Sequence, residues 1–462
     1  MFYGTRESAE DIESVRHALG VDRIALFGLS YGTKQALAYA AAHPEHVDRL
    51  LLDSTVLPDG PDPLGLASLR AIPTALDSIC HAGACATVSG DPASDFAKLA
   101  NKLDAQPLIA NAPVYTTQET PTLRRVRIDG LGLLSLVTAS DLNSGIAIAL
   151  PAAVGAALSG RPGVLERTVA LLSEQDTSAV NNAVFLATTC NDGPFPWHPE
   201  TPAADRRTVL ANAVAALPTD SLGGFGSWAA VASAIECVDW PSPTGVESSD
   251  TGSLPNVPVL VLAGDRDVRT PLAAGAAAAA RFPQGRLLVA PGIGHTVVAS
   301  SACVDNAVRI WIEGGTPRAR CPRVPLTVKP IGMLPRAVAA APPLGPVGGL
   351  VGRTLGATVT TLHGAEAAWL TSYPEGWVVG LEAGQLAGED LGGFRFSAYS
   401  DVPGLAVSGR LAFSVSKKGV LVPGSERGIV QVGGSIAASG FLQVQNRRIF
   451  GLLGGRHVSA SF

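Results

Sequence analysis

A glycine-flanked serine is the most restrictive feature of this sequence. Residues 27–33 read FGLSYGT, which places the pattern G-x-S-x-G around Ser30. The aliphatic run at 23–27 predicts a strand before the pattern, and the alanine-rich run at 35–42 predicts a helix after it. A tight turn between strand and helix leaves little room for Cβ atoms, which would explain both glycines. The sequence therefore predicts a sharp turn that exposes the Ser30 hydroxyl, with a simple chain reversal as the alternative.

Two further strands are predicted to end in an acid and a histidine. Residues 257–263 read VPVLVLA and precede Gly-Asp-Arg-Asp, and residues 286–290 read RLLVA and precede Pro-Gly-Ile-Gly-His. Both runs have the apolar character of buried strands. A serine hydroxyl needs a neighbouring base, which needs an orienting acid, and α/β-hydrolases carry them in the order serine, acid, histidine. The sequence therefore predicts a catalytic triad of Ser30, Asp267 and His295.

The same pattern suggests the remaining components of the site. Asp265 is a rival for the acid, but Asp267 is preferred because it lies deeper in the loop, whereas an aspartate beside glycine is commonly a turn or cap residue. The backbone N–H of Tyr31 is predicted to face the oxyanion that develops in acyl transfer. Acyl transfer of this kind requires no metal and no organic cofactor, so neither is predicted.

Bulk composition narrows the partners. The 462 residues are enough for about two or three domains. The net charge of −5 is dispersed over both signs without a basic stripe, so nucleic acid is not an expected partner. No apolar run approaches the roughly 20 residues of a spanning helix, so no membrane span is predicted. The oligomeric state is left open by the sequence.

Six cysteines are spread along the chain. Their order suggests the pairs Cys80–Cys85, Cys190–Cys237 and Cys303–Cys321, although the sequence alone does not select among the possible pairings. Buried free thiols are the alternative, and no Cys or His cluster suggests a metal site. Disulfides would indicate an exported protein.

The order of the predicted elements divides the first part of the chain into a core and an insertion. Residues 1–58, with a helix at 8–19 and the serine turn, are predicted as the first part of an α/β core, which residues 256–323 complete. Residues 59–255 are predicted as a helical cap inserted into that core, with helices such as those at 141–158 and 204–217.

The last part of the chain has a different pattern. Residues 324–350 are rich in proline and glycine and are predicted as a linker. Residues 351–462 are predicted as a β-rich module, because short alternating runs such as 357–362, 405–414 and 441–450 are separated by turn residues. This module has no convergent catalytic set and is interpreted as structural or adhesive.

With these features placed, residues 3–322 resemble secreted bacterial α/β-hydrolases of the tripeptidyl-aminopeptidase type, relatives of prolyl aminopeptidases. The matching stretches are SAEDIESVRHALG, ALFGLSYGTKQALAYAAAHPEHVDRLLLDS, ATTCNDG, ECVDWP, VPVLVLAGDRDVRTPL and LLVAPGIGHT. The resemblance implies a secreted or cell-wall-associated serine exopeptidase that releases short peptides from free N-termini. It also implies an acidic group that holds the substrate ammonium, for which Asp192 and Glu236 are candidates, unless they are only solvated loop acids.

The chain departs from that family before the serine turn. Only one helix precedes the strand that leads to the serine turn, whereas the family pattern has further strands and a Gly-rich oxyanion loop there. The residues before the first predicted helix also lack the basic and apolar segments of a leader sequence. The sequence is therefore interpreted as an amino-terminally shortened form of a longer exported enzyme, with an incomplete sheet and with its own activity left open.

Two other functions stay open at this point. An esterase or lipase of the same fold would use the same residues, because the fold does not determine which bond is cleaved. A non-catalytic exported protein would act through the β-rich module instead.

Overall fold

The computed structural model describes residues 4–114, 121–173, 181–241, 254–372, 376–390, 392–417, 419 and 421–461. The α-helices of this part are α1 (Thr5–Leu19), α2 (Tyr31–Ala42), α3 (Leu66–Ile79), α4 (Pro92–Ala105), α5 (Gly130–Ala139), α6 (Ser144–Leu158), α7 (Gly163–Ser173), α8 (Asn182–Asp192), α9 (Ala203–Ala215), α10 (Trp228–Val238), α11 (Leu272–Ala280), α12 (Ala302–Ile312) and α13 (Gly349–Ser372). The strands are β1 (Ile24–Leu29), β2 (Val47–Asp53), β3 (Leu108–Val114), β4 (Thr122–Ile128), β5 (Val259–Gly264), β6 (Gly285–Ala290), β7 (Trp377–Val379), β8 (Ala383–Asp390), β9 (Gly393–Ser400), β10 (Ala406–Ala412), β11 (Arg427–Gly433), β12 (Gly440–Gln445), β13 (Arg448–Leu453) and β14 (Arg456–Ser461).

The chain folds into two compact units. The first unit combines Met1–Ser78 with Asp176–Val324, and the second combines Ile79–Gln175 with Pro325–Phe462. Residues 59–255, interpreted from the sequence as one helical insertion, are thus divided between the units. Helices α8 to α10 belong to the first unit, whereas α4 to α7 and the β3–β4 hairpin belong to the second.

A four-stranded parallel sheet is the centre of the first unit. Its strand order is β1-β2-β5-β6, so strands that are distant in the chain become neighbours. All residues of β5 are buried, and successive side chains point to opposite faces. Val259 and Val261 pack with α2 and α11, while Leu260 and Leu262 pack with α12. Coverage on both faces explains why the sequence of this strand is apolar without alternation.

Strand β1, which leads to the predicted serine turn, lies at the edge of this sheet. Its Phe27 and Leu29 side chains are exposed. The predicted helix at 8–19 is confirmed as α1, which begins at Thr5, where the Glu7 carboxylate accepts the Gly4 N–H at 3.1 Å. Helix α1 packs against α2 through the small buried side chain of Ala9.

The second unit contains an eight-stranded antiparallel sheet. Strands β7 to β14 follow one another in chain order, so each pairs with its predecessor. The sheet packs with α13 through the Trp369 indole, whose ring centroid lies 5.0 Å from that of Phe394 and 5.5 Å from that of Phe413. The β-rich pattern predicted for this region is confirmed from β7 onward.

The strand suggested at 357–362 is wrong, because these residues lie inside helix α13. The run ATVTTL is rich in β-branched residues, which resembles a strand locally. Buried threonines of this helix satisfy their hydroxyls by donating to carbonyls one turn back, as Thr358 does to Thr354 at 2.8 Å. The helix is buried on most of its surface, so it lacks the polar face that would have indicated a helical period.

Three disulfides join Cys80 to Cys85, Cys190 to Cys237 and Cys303 to Cys321. This is the pairing suggested by the order of the cysteines. The second disulfide ties the end of α8 to the end of α10. Among the residues described, no helix combines the length and the apolar character needed to cross a membrane.

Candidate active site

Ser30 occupies a strained turn between β1 and α2. Its φ of 54° and ψ of −124° are sparsely populated for a residue with a side chain. The Ser30 N–H donates to the Asp53 carbonyl at 2.9 Å, and the Ser30 carbonyl accepts from the Thr33 N–H at 2.9 Å and from the Thr33 hydroxyl at 2.6 Å. These bonds hold the turn expected from the sequence and keep the serine at the carboxyl end of the strand.

The two flanking glycines differ in their steric roles. A Cβ atom on Gly28 would lie 2.6 Å from the Gly32 carbonyl oxygen and 2.7 Å from the Thr33 Cα, so only glycine fits at position 28. A Cβ on Gly32 would meet no atom within 4 Å. The expectation that tight packing requires both glycines is therefore wrong for Gly32.

The predicted acid and base form a buried pair. His295 Nδ1 lies 3.0 Å from Asp267 Oδ2, with 7% of the histidine side chain and 0% of the aspartate side chain exposed. Asp267 also accepts the Thr270 N–H at 2.8 Å and the Thr270 hydroxyl at 2.6 Å. A carboxylate can only accept, so Nδ1 carries the proton and Nε2 is available to accept one.

Asp265 has a different set of partners. Its carboxylate accepts the Gly292 N–H at 2.7 Å, the Ser78 hydroxyl at 2.8 Å and the Arg323 guanidinium at 2.8 Å. These bonds tie the loop after β5 to the loop after β6. The structure thus pairs His295 with Asp267, whereas Asp265 holds the two loops together.

Tyr31 follows the serine as the first residue of α2. Its backbone N–H is among the first N–H groups of the helix, which have no acceptor within the helix itself. Its phenol oxygen lies 2.8 Å from the Thr5 hydroxyl. Burial raises the pKa of the Tyr31 phenol to about 12, so this side chain stays neutral at physiological pH.

Of the two acids suggested for binding a substrate ammonium, Asp192 lies near the serine turn. Its carboxylate accepts the Thr5 N–H at 2.9 Å and also the Thr5 hydroxyl. Its carbonyl accepts from the Lys34 ammonium at 3.1 Å, one helical turn after Ser30. Glu236 is exposed on α10 and is not brought into this network.

Sequence reasoning missed several polar residues around the site. Lys34 is buried at 2% exposure and donates to the Gly60 carbonyl at 2.6 Å, and burial lowers the pKa of its ammonium. Thr270, which donates two hydrogen bonds to Asp267, was also missed. Asp53 and Ser54 stand at the carboxyl end of a buried strand, as the predicted acid does. That position in the sequence could have indicated them.

A parallel sheet with helices on both faces, and a serine in a strained turn from strand to helix, is the architecture of an α/β-hydrolase. A buried aspartate–histidine pair follows two neighbouring strands at the same edge of the sheet.

Comparisons with known proteins agree with this class. A family model described as the alpha/beta hydrolase fold matches residues 3–74, and one described as TAP-like protein matches residues 225–321. The chain is 27% identical over 325 residues to "Serine protease Hip1" of Mycobacterium bovis, covering 68% of this chain and 60% of that protein. It is 24% identical over 348 residues to "Tripeptidyl aminopeptidase" of Streptomyces lividans, covering 68% and 57%. A stretch of 48 residues is 48% identical to "Proline iminopeptidase" of Xylella fastidiosa, covering 10% and 15%.

The fold is therefore that of an α/β-hydrolase, and the matching models and relatives support the tripeptidyl-aminopeptidase type. The chain spans about 60% of the length of the Mycobacterium and Streptomyces relatives.

Proposed function

We propose that this protein is a serine peptidase that releases short peptides or single residues from free N-termini through an acyl-enzyme. The buried bond between His295 Nδ1 and Asp267 Oδ2 carries this proposal, because it fixes the tautomer in which the histidine can act as a base. The strained turn at Ser30 supports it, since such strain is typical of functional positions.

In the proposed mechanism, Ser30 Oγ attacks the peptide carbonyl while its proton moves to His295 Nε2. Asp267 stabilises the imidazolium that results, and the Tyr31 N–H donates to the oxyanion. The proton on Nε2 then passes to the leaving amine, which breaks the C–N bond. A water molecule, activated by the same nitrogen, hydrolyses the acyl-enzyme and restores the serine.

Asp192 is the proposed recognition site for the substrate's ammonium group. The position of its carboxylate beside Thr5 and close to the Tyr31 phenol places a negative charge next to the serine turn. A charge-assisted bond to an ammonium would use that charge. Glu236, which is solvent-exposed, is the less suited of the two candidates. Helices α8 to α10, which belong to the same unit as the site, are proposed to contribute its cap.

A location outside the cytoplasm is part of the proposal. Three disulfides in a chain with no free cysteine among its six support folding in an oxidising compartment. Secretion or attachment to the cell wall would both satisfy this condition.

A fluorophosphonate probe tests the catalytic part of the proposal. We expect labelling of the folded protein and loss of labelling in Ser30→Ala, with unchanged circular dichroism. Absence of labelling in the folded wild-type chain would favour a non-catalytic role through the β-rich module.

Substrate class is tested separately with peptide p-nitroanilides and short acyl esters. We expect faster turnover of anilides with a free N-terminus than of their acetylated counterparts, and a weaker preference in Asp192→Asn. Cleavage of esters alone would identify an esterase and refute the peptidase assignment.

A further inference from the structure

We propose that Asp53 is a positioning residue that holds the catalytic histidine in register with the serine. The inference rests on the proposed function, because it assigns Asp53 to the same active site. Asp53 is the last residue of β2, which lies between β1 and β5 in the sheet. It therefore sits between the strand that leads to Ser30 and the two strands that lead to the acid and the base.

Asp53 contacts both sides of the site with different groups. Its backbone carbonyl accepts the Ser30 N–H at 2.9 Å. Its carboxylate accepts the Val297 N–H at 2.9 and 3.0 Å and the Val298 N–H at 2.7 Å. These two N–H groups lie two and three residues after His295 in the chain. One residue thus binds the backbone of the nucleophile and the backbone of the loop that carries the base.

The histidine loop needs such an anchor because its backbone is strained. Thr296 has a φ of 72° and Ala299 a φ of 62°, and a positive φ is an outlier for a β-branched residue. Such conformations persist only where the surroundings hold them. Ser54 assists, because its hydroxyl oxygen accepts the Thr296 N–H at 3.0 Å and its hydroxyl lies 3.2 Å from Asp53 Oδ1.

Asp53 also differs from a simple loop anchor in its charge. Its side chain is fully buried, and burial raises the pKa of its carboxyl, while the bonds from Val298 and Val297 and the charge of His295 lower it. The charge of His295 thus favours the ionised form of Asp53. Asp267 faces the same imidazole directly. Asp53 therefore acts on the base through the position of the loop and, in its ionised form, through its charge.

The test measures the second-order rate constant of fluorophosphonate labelling at Ser30 as a function of pH, in the full chain. In Asp53→Asn, an amide nitrogen replaces one of the two oxygens that accept from backbone N–H groups. We expect the labelling rate to fall about 10²-fold, the size of loss that a misplacement near 1 Å produces. We also expect the acidic limb of its pH–rate profile to move, because the substitution removes a charge that acts on the imidazole.

Ser54→Ala is the matched control, because it removes the acceptor of the Thr296 N–H and keeps the carboxylate. We expect a smaller loss of rate and an unmoved acidic limb. If folded Asp53→Asn labels at the wild-type rate, or if its acidic limb stays in place, the proposal is overturned.

A third variant covers the case in which Asp53→Asn does not fold. Asp53→Glu keeps the charge and displaces it, so we expect a lower rate with the acidic limb retained, and a wild-type rate would overturn the proposal. Failure of the wild-type chain to label would instead refute the proposed function, so the two failures are distinguishable.

Discussion

Replacing Asp267 by asparagine tests how the site fixes the proton on the histidine. In the wild-type structure, Oδ1 of Asp267 accepts the Thr270 backbone N–H, and Oδ2 accepts from His295 Nδ1 and from the Thr270 hydroxyl. Asparagine has only one oxygen. The backbone N–H of Thr270 can only donate, so we expect the new oxygen to face Thr270 and the new amide group to face His295. The histidine is then left with its proton on Nε2, where it cannot act as a base.

The magnitude follows from two contributions. The histidine can act as a base only if the asparagine turns its oxygen toward His295 Nδ1. That orientation leaves the buried Thr270 N–H without an acceptor, which costs about 1–3 kcal/mol. Loss of the negative charge removes a hydrogen bond between charged groups when the imidazolium forms, which is worth about 1.5–3 kcal/mol. At 1.36 kcal/mol for each factor of ten, we expect the rate to fall about 10²- to 10⁴-fold.

The assay is the rate constant of fluorophosphonate labelling, repeated as kcat/KM on the best substrate found. Asp265→Asn is the matched control, because Asp265 bonds to Gly292, Ser78 and Arg323 and not to the histidine. We expect that variant to lose thermal stability and to keep its rate within about tenfold of wild type. A loss smaller than about tenfold in Asp267→Asn, or a larger loss in Asp265→Asn, would refute the argument.

Three further predictions concern stability. Arg167→Met leaves the Asp401 carboxylate buried without its bidentate partner, which lies 2.6 Å away, and should lower the free energy of unfolding by about 3–5 kcal/mol in denaturant titrations; a loss below about 1 kcal/mol would contradict this. Burial raises the pKa of Glu366 well above 4.5. The folded protein therefore retains a proton that the unfolded protein loses, and stability falls as pH rises from about 4.5 toward the pKa in the folded state. Glu366→Gln should therefore gain Tm over wild type as pH rises from about 5 to 8, and parallel Tm curves would argue against it. Gly28→Ala should abolish soluble folded protein or Ser30 labelling, while Gly32→Ala should retain both; equal behaviour of the two variants would exclude the steric explanation.

Much of the local structure around the site follows from neighbouring residues in the chain. The strand, turn and helix around Ser30 are read from an aliphatic run, a glycine and an alanine-rich run, because steric conflict at Gly28 is a short-range property. The continuous apolar character of β5 indicated burial on both faces. The order of serine, acid and histidine along the chain then suggested which side chains meet, and the structure pairs Asp267 with His295.

Local patterns failed where the surroundings of a segment determine its conformation. The β-branched run inside α13 resembles a strand, but helix α6 and the eight-stranded sheet enclose it as a helix. Gly145 of α6 shows how close this packing is, because a Cβ atom there would lie 2.2 Å from the Thr371 backbone nitrogen. Contacts of this kind depend on which elements become neighbours.

The sequence by itself determined the sharp turn at Ser30, the buried strands and the residues proposed as acid and base, because sterics and hydrophobic periodicity act over a few residues. Only the tertiary structure decided that Asp53 reaches the loop after His295, since it joins residues 244 and 245 positions apart. It also decided how residues 59–255 are divided between two units. Strand order in the sheet brings such residues together, and that order depends on how all the elements pack, which no short stretch of sequence specifies.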